Sequence, residues 1–226
     1  MTAESNAPFD SAICADLFAA EVRVAASPLR DCIEELTASE RELVRGVVRK
    51  RELEFATGRM LAKQVLTELS HREFELLRDQ DRVPIWPRDV VGSISHTTGQ
   101  AEGLCIVAVA SSLDRTGLGV DVEPDLPVQE GLQDTICRPS EREWVRAAGT
   151  AESGRRCRVV FSVKEAVYKA FYPRIREFWA FKDVEVCLDL AHDSFQAQLP
   201  ESADRSEVEG RIIRREGWII AGADYA

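Results

Sequence analysis

Several features are missing from this chain, and each absence removes a class of function. None of its six cysteines (14, 32, 105, 137, 157 and 187) forms a Cys-x-x-Cys pair, and several lie in apolar runs. That pattern excludes a zinc ribbon and predicts reduced core thiols in a cytoplasmic protein, not a disulfide frame. No apolar run approaches the ~18 residues of a membrane span, so no membrane partner is expected. The opening MTAESNAPFDSAIC has no basic start followed by an apolar block, which predicts no export signal. Histidine is scarce, at three residues, which leaves few imidazoles for a two-metal centre. No Gly-x-Ser-x-Gly elbow is present, so the Ser95-His96 dipeptide does not read as a hydrolase triad. Bases are the minority, 29 against 39 acids, and the net charge of −10 excludes wholesale nucleic-acid binding.

The bases that are present are clumped: VVRKR at 47–51, RRCR at 155–158 and RIIRR at 211–215. Local basic patches on an acidic protein suit a phosphorylated small molecule or a small acidic protein, although each clump taken singly reads as a solvated face. A length of 226 residues allows one large domain or two small ones. An internal echo favours two. SERELVR (39–45) recurs as SEREWVR (140–146), with capping spacings at Thr37/Glu40 and Ser140/Glu143. Each copy precedes a helical stretch opening on an aromatic residue, Phe55 or Phe161. Two related halves are expected, 1–112 and 113–226, packed as a pseudo-dimer and so a monomer overall.

Strand-like runs lie between the helices. LCIVAVA (104–110) is a continuous apolar run, GLGVDVE (117–123) and VEVCLDL (184–190) alternate, and WIIAGAD (218–224) is short and apolar. The expected class is α+β, each half a small sheet with a long helix on it.

Three constellations carry chemistry. Alternation in GLGVDVEP puts Asp121 and Glu123 on one strand face. Either that face meets water, the favoured reading for a bare Asp-x-Glu, or the two carboxylates share a hard cation such as Mg²⁺. In VVFSVKEAVYKAFYP (159–173), Val163, Ala166, Val167 and Ala170 line one helix face, and Glu165, Tyr168, Lys169 and Tyr172 another, with Lys164 flanking it. Glu165 and Lys169 form either a surface ion pair or a third carboxylate and a phosphate-holding cation. Aligning Phe55 with Phe161 places Arg59 where Glu165 stands and Lys63 where Lys169 stands, so two-fold symmetry between the halves would give their interface a basic wall and an acidic wall. In GSISHTTGQ (92–100), His96 follows a short strand and, with Ser95 and turn amides, suits a phosphate.

In this order, KRELEFATGR, VPIWP…GSISH, GLGVDVEP and FSVKEAVYKAFYP resemble the 4′-phosphopantetheinyl transferases, in the larger pseudo-dimeric class typified by the activators of surfactin and enterobactin synthases. The resemblance runs from about residue 38 to 175. It implies two similar α/β halves with coenzyme A between them. It implies that Arg51, with Lys50 nearby, and His96 hold the 3′-phosphate end, and that Arg59 and Arg78 line the nucleotide region. Asp121, Glu123 and Glu165 would bind Mg²⁺, with Mn²⁺ as the alternative ion. Lys164 and Lys169 would steady phosphate charge. Glu165 or a metal-bound water would take the proton of a serine on an apo acyl or peptidyl carrier protein. Two positions depart from the family pattern: RDQDRV at 78–83, where relatives often have a lysine and a glycine-rich turn, and Phe161, where one subgroup has tryptophan. Two rivals use the same residues, a metal-dependent phosphohydrolase and a non-catalytic phospho-ligand module. RRCR, read as a loop before the Phe161 helix, is a candidate carrier dock.

Overall fold

The structure, a computed structural model, describes residues 11–99 and 102–226. The expectation of no export signal rests on residues 1–14, of which 1–10 lie outside these, as does Gln100 of the GSISHTTGQ motif. Among the described residues, eight strands build two antiparallel sheets, accompanied by five α-helices. In the first, β1 (Arg23–Ser27), β2 (Val90–Thr97) and β3 (Leu104–Ser111) run in the order β1-β3-β2. In the second, β4 (Gly117–Pro124), β5 (Glu185–Asp189), β6 (Ser194–Gln198), β7 (Glu207–Arg215) and β8 (Trp218–Tyr225) run in the order β4-β8-β7-β6-β5.

A long helix lies on each sheet. α2 (Arg49–Glu68) packs on β1 and β3, burying Leu61, Ala62, Val65 and Leu66 against Val107 and Val109. α5 (Thr150–Ile175) packs on β4 and β8, burying the expected Val163, Ala166, Val167 and Ala170. Short helices α1 (Ala38–Glu42) and α4 (Pro139–Arg146) precede them, and α3 (Glu130–Ile136) follows β4. Fold class and the two-halved plan therefore stand as expected. No helix of the described residues is long and apolar enough to cross a membrane.

The sheets meet at the seam between β2 and β4 without a backbone ladder. Serine side chains of β2 bridge it: Ser93 Oγ accepts from Val120 N at 3.1 Å and Ser95 Oγ from Val122 N at 3.2 Å. A shared core of Leu17, Ala108, Leu118, Val120 and Ile220 runs beneath. α5 lies unusually close to β4. A Cβ on Gly119 would come within 1.9 Å of Ala166 O, so only glycine lets the helix seat there.

The internal echo is real, but its helical register differs from the Phe55–Phe161 alignment. α1 and α4 begin 101 residues apart, as do α2 and α5. Thr37 and Glu40 form the expected capping box. In the second half, however, Glu141 rather than Glu143 accepts from the N-cap amide, Arg138 N, at 2.6 Å. At this offset Lys63 corresponds to Lys164, not Lys169, and Arg59 to Val160, not Glu165. The buried carboxylates Glu40 and Glu141 set the register, because each must meet its lysine; the aromatic residues carry no such constraint.

Candidate active site

Two β4 carboxylates and the half-exposed stripe of α5 converge at the seam. Asp121 is 3 % exposed although it is a carboxylate. Its Oδ1 accepts from Lys169 Nζ at 2.6 Å and from Ser95 Oγ at 3.0 Å. Its Oδ2 is buried with no partner among the described residues. Burial, with Asp121 adding, pushes Glu123 up to about 7, against the pull of Arg158, whose Nη1 donates to Glu123 Oε2 at 2.8 Å. Burial also raises Glu165, with Lys169 opposing and Asp121 adding. Carboxylates raised this way, around an orphaned buried oxygen, leave negative charge that a cation relieves.

Among the described residues no three His, Cys, Asp or Glu side chains converge closely enough to hold a metal. The expected three-carboxylate cage is thus not closed here; Lys169 neutralises Asp121 on one side instead. The donor set still fits a hard ion, since Mg²⁺ commonly takes one or two carboxylates and completes its shell with water and phosphate.

Two expected ligands are committed elsewhere. Ser95 lies inside β2, not in a turn. Its hydroxyl donates to Asp121 and accepts from Val122 N and Lys169 Nζ, which uses every bond it can make. Lys164 is fully buried, and its ammonium donates to Glu141 Oε2 at 2.7 Å, Phe181 O at 2.8 Å and Ile136 O at 3.0 Å. No proton of either group is left for a phosphate.

The first half supplies a basic wall. Arg51 Nη1 contacts Glu54 Oε2 at 3.0 Å and donates to His96 Nε2 at 3.1 Å. Nε2 is then the acceptor, which fits a neutral ring: burial pushes His96 down to about 4, despite Glu54. Lys50 is exposed, with Nζ 4.0 Å from Glu54 Oε1. Arg59 is buried, with Nε on Leu76 O at 2.6 Å and its guanidinium 4.1 Å over the Phe55 ring. Burial first, then Arg78 and Arg51 among its neighbours, lower Arg59 to about 10. Arg78 and Arg51 thus add positive charge beside Arg59, with Glu40 opposing. Arg78 Nη2 is anchored on Leu43 O at 3.0 Å.

Two cavities flank the α5 stripe, and Tyr168 lines both. One, of about 310 Å³, lies between the halves, with Lys169 and Tyr172 opposite Arg82, Val83 and Ser93. The other, of about 560 Å³, is walled by Glu165, Phe178, Trp179 and Phe181.

Glu54 is not singled out from the sequence, and Arg158 reads there only as part of the carrier dock. Glu54 carries a signal, its i,i+3 spacing from Arg51. Arg158 belongs to RRCR, which is not a loop but part of α5, and its arginines fold back: Arg156 onto Trp144 O and the Trp144 ring, Arg155 onto Asp125 and Glu152, and Arg158 onto Glu123. That patch is not a free dock.

Comparison with known proteins decides the family. Residues 39–110 match the model of the 4′-phosphopantetheinyl transferase N-terminal domain, and residues 117–222 that of the 4′-phosphopantetheinyl transferase superfamily. The chain belongs to the 4′-phosphopantetheinyl transferases. The transferase is 35% identical over 203 residues to the 4′-phosphopantetheinyl transferase Svp of Streptomyces mobaraensis, covering 87% of this chain and 81% of that protein. It is 28% identical over 219 residues to Npt of Nocardia iowensis, covering 90% and 96%. It is 36% identical over 124 residues to enterobactin synthase component D of Escherichia coli, covering 54% and 55%. Neither the phosphohydrolase nor the non-catalytic reading is supported beside these matches.

Proposed function

We propose that the seam between β2 and β4 is where the transferase moves 4′-phosphopantetheine from coenzyme A to a serine of an apo carrier protein. Arg51, Lys50 and His96 hold the 3′-phosphate end, and Arg59 and Arg78 add positive charge along the nucleotide. Lys169 faces the pyrophosphate. Asp121, through its free Oδ2, and Glu123 would hold Mg²⁺, with Glu165 beside them. Such an ion supplies charge neutralisation on the pyrophosphate. The aromatic cavity beside Glu165 has apolar walls suited to the pantetheine arm.

In the reaction the serine Oγ forms a bond to the phosphorus that carries pantetheine. The bond from that phosphorus to the bridging oxygen breaks, and adenosine 3′,5′-bisphosphate leaves. Glu165 accepts the serine proton; its burial makes it a better base than an exposed glutamate. Lys169 stabilises the charge that builds on the leaving phosphate. Because both walls come from one chain, the enzyme works as a monomer, and we place it in the cytoplasm. The similarity to enterobactin synthase component D makes siderophore carriers one candidate class beside polyketide and fatty-acid carriers.

The observation that carries this reading is the contact of Lys169 with both Asp121 and Ser95, which joins the acidic wall to the basic half. The test is incubation with coenzyme A, Mg²⁺ and a panel of apo carriers, read by intact mass. Gain of one phosphopantetheine on at least one carrier is expected. Coenzyme A consumed with every carrier unchanged would overturn it.

A further inference from the structure

Each half is built around the same buried ionic assembly: the glutamate, its lysine, the N-cap amide and one carbonyl recur at an offset of 101 residues, and the amide on Oε1 recurs at 110. In the first half, Glu40 Oε2 accepts from Thr37 N at 2.9 Å and Lys63 Nζ at 2.8 Å, Glu40 Oε1 accepts from Leu76 N at 3.1 Å, and Lys63 also donates to Glu35 O at 2.9 Å. In the second half, Glu141 Oε2 accepts from Arg138 N at 2.6 Å and Lys164 Nζ at 2.7 Å, Glu141 Oε1 accepts from Val186 N at 2.8 Å, and Lys164 also donates to Ile136 O at 3.0 Å. At the lysine the copies differ in two respects. The Lys63 side chain is 29% exposed and that of Lys164 1%. Lys164 also has a third acceptor, Phe181 O at 2.8 Å.

That third bond changes what the second copy does. Phe181 walls the aromatic cavity, and Lys164 precedes Glu165, which lines the same cavity. One ammonium thus ties three separate segments to α5 beside the reacting carboxylate: the end of α3, the start of α4 and the 177–184 loop. We propose that Lys164 is a positioning residue for phosphopantetheinyl transfer. It holds the cavity wall against α5 so that the arm and Glu165 meet in register, and it does not touch phosphate. The proposal rests on the reading of Glu165 and its cavity given above. A displacement of about 1 Å at a reacting centre costs on the order of 100-fold in rate, so losing this tether acts on turnover rather than on binding of the nucleotide.

The duplicated assembly supplies its own control. Lys164→Met and Lys63→Met each remove one lysine from an equivalent buried glutamate, and both should lose thermal stability. Each is assayed with coenzyme A, Mg²⁺ and an apo carrier that the unaltered protein modifies. Turnover is counted per coenzyme A site from calorimetric stoichiometry, which corrects for any unfolded fraction. Lys164→Met should lower kcat at least tenfold with the KM for coenzyme A within threefold, while Lys63→Met keeps kcat within twofold. Equal kcat in the two variants, or a raised KM for coenzyme A with kcat kept in Lys164→Met, would overturn the role. If Lys164→Met does not fold, Lys164→Arg is read by the same split, since a planar fork keeps the charge but cannot reach all three acceptors. Absence of transfer by the unaltered protein would instead refute the reading of the site, and this proposal with it.

Discussion

Lys169 Nζ lies 2.6 Å from Asp121 Oδ1 and 3.0 Å from Ser95 Oγ, so one ammonium on α5 binds both β4 and the first-half strand β2. It is half-exposed, and it faces the proposed pyrophosphate position. Lys169→Ala should lower kcat by roughly 100-fold, the scale of losing one charge-stabilising group at a transition state. The KM for carrier should stay unchanged. Steady-state kinetics by intact mass checks this; a variant with parental kcat would remove Lys169 from the chemistry.

Glu123 offers a pH test. Burial, then Asp121, raise it from 4.5 to about 7, while Arg158 and Lys169 pull it down. Between those values the folded protein holds a proton that the unfolded chain has released. The contribution to stability is therefore fully present below about 4.5 and lost as pH rises through about 7. His96 works in the opposite sense, because burial lowers it to about 4, so the comparison must isolate one group. Without divalent ions, the thermal midpoint of the parent relative to Glu123→Gln should fall between about pH 5 and pH 8. Mg²⁺ added at the upper end should restore it. Arg158→Ala should move the window to higher pH, because it removes a charge that favours the carboxylate. A relative midpoint that rises with pH would contradict the raised carboxylate.

Arg51 donates to His96 at 3.1 Å and stands apart from the acidic wall. If the two hold the 3′-phosphate, Arg51→Ala should cost about 1.5–3 kcal/mol with coenzyme A, the value of one charge-assisted hydrogen bond. It should cost far less with 3′-dephospho-coenzyme A. Dissociation constants for the two ligands check this; an unchanged ratio between them would refute the assignment.

Gly119 has no room for a side chain beneath α5, where a Cβ would sit 1.9 Å from Ala166 O and 2.6 Å from Ala170 N. Gly119→Ala should destabilise the protein by about 1–3 kcal/mol, the usual cost of overpacking. Because the neighbours are helix backbone and the shift separates β4 from Glu165 and Lys169, activity should fall in the fraction that stays folded. Chemical denaturation beside the transfer assay measures both. A variant as stable and active as its parent would show that the helix yields freely.

The parts of this fold that were legible in the sequence are those whose pattern is local. β3 is a continuous apolar run because α2 covers one face and the shared core the other. β4 and α5 show alternation and helical phase, and with them Asp121, Glu165 and Lys169. β6 and β7 escaped because Ser194–Gln198 is short and the bases of 211–215 mask the strand beneath them. RRCR looked like a wet loop, yet its arginines fold back onto α5 and its neighbours. Lys164 looked like a phosphate ligand because its partner Glu141 lies 23 residues away. Burial of a charge through a distant counter-charge leaves no mark in the residues around it. Only the SERE echo pointed to it, and the aromatic residues beside the helices suggested the wrong register.

The most direct test is Asp121→Ala, assayed by intact mass of an apo carrier over a titration of Mg²⁺ with coenzyme A saturating. The unaltered protein should add phosphopantetheine in a Mg²⁺-dependent manner. The variant, still folded by circular dichroism, should show at least a roughly 100-fold lower rate that added Mg²⁺ does not rescue. Parental turnover by Asp121→Ala at the parental Mg²⁺ requirement would contradict the placing of metal and pyrophosphate at the β2–β4 seam.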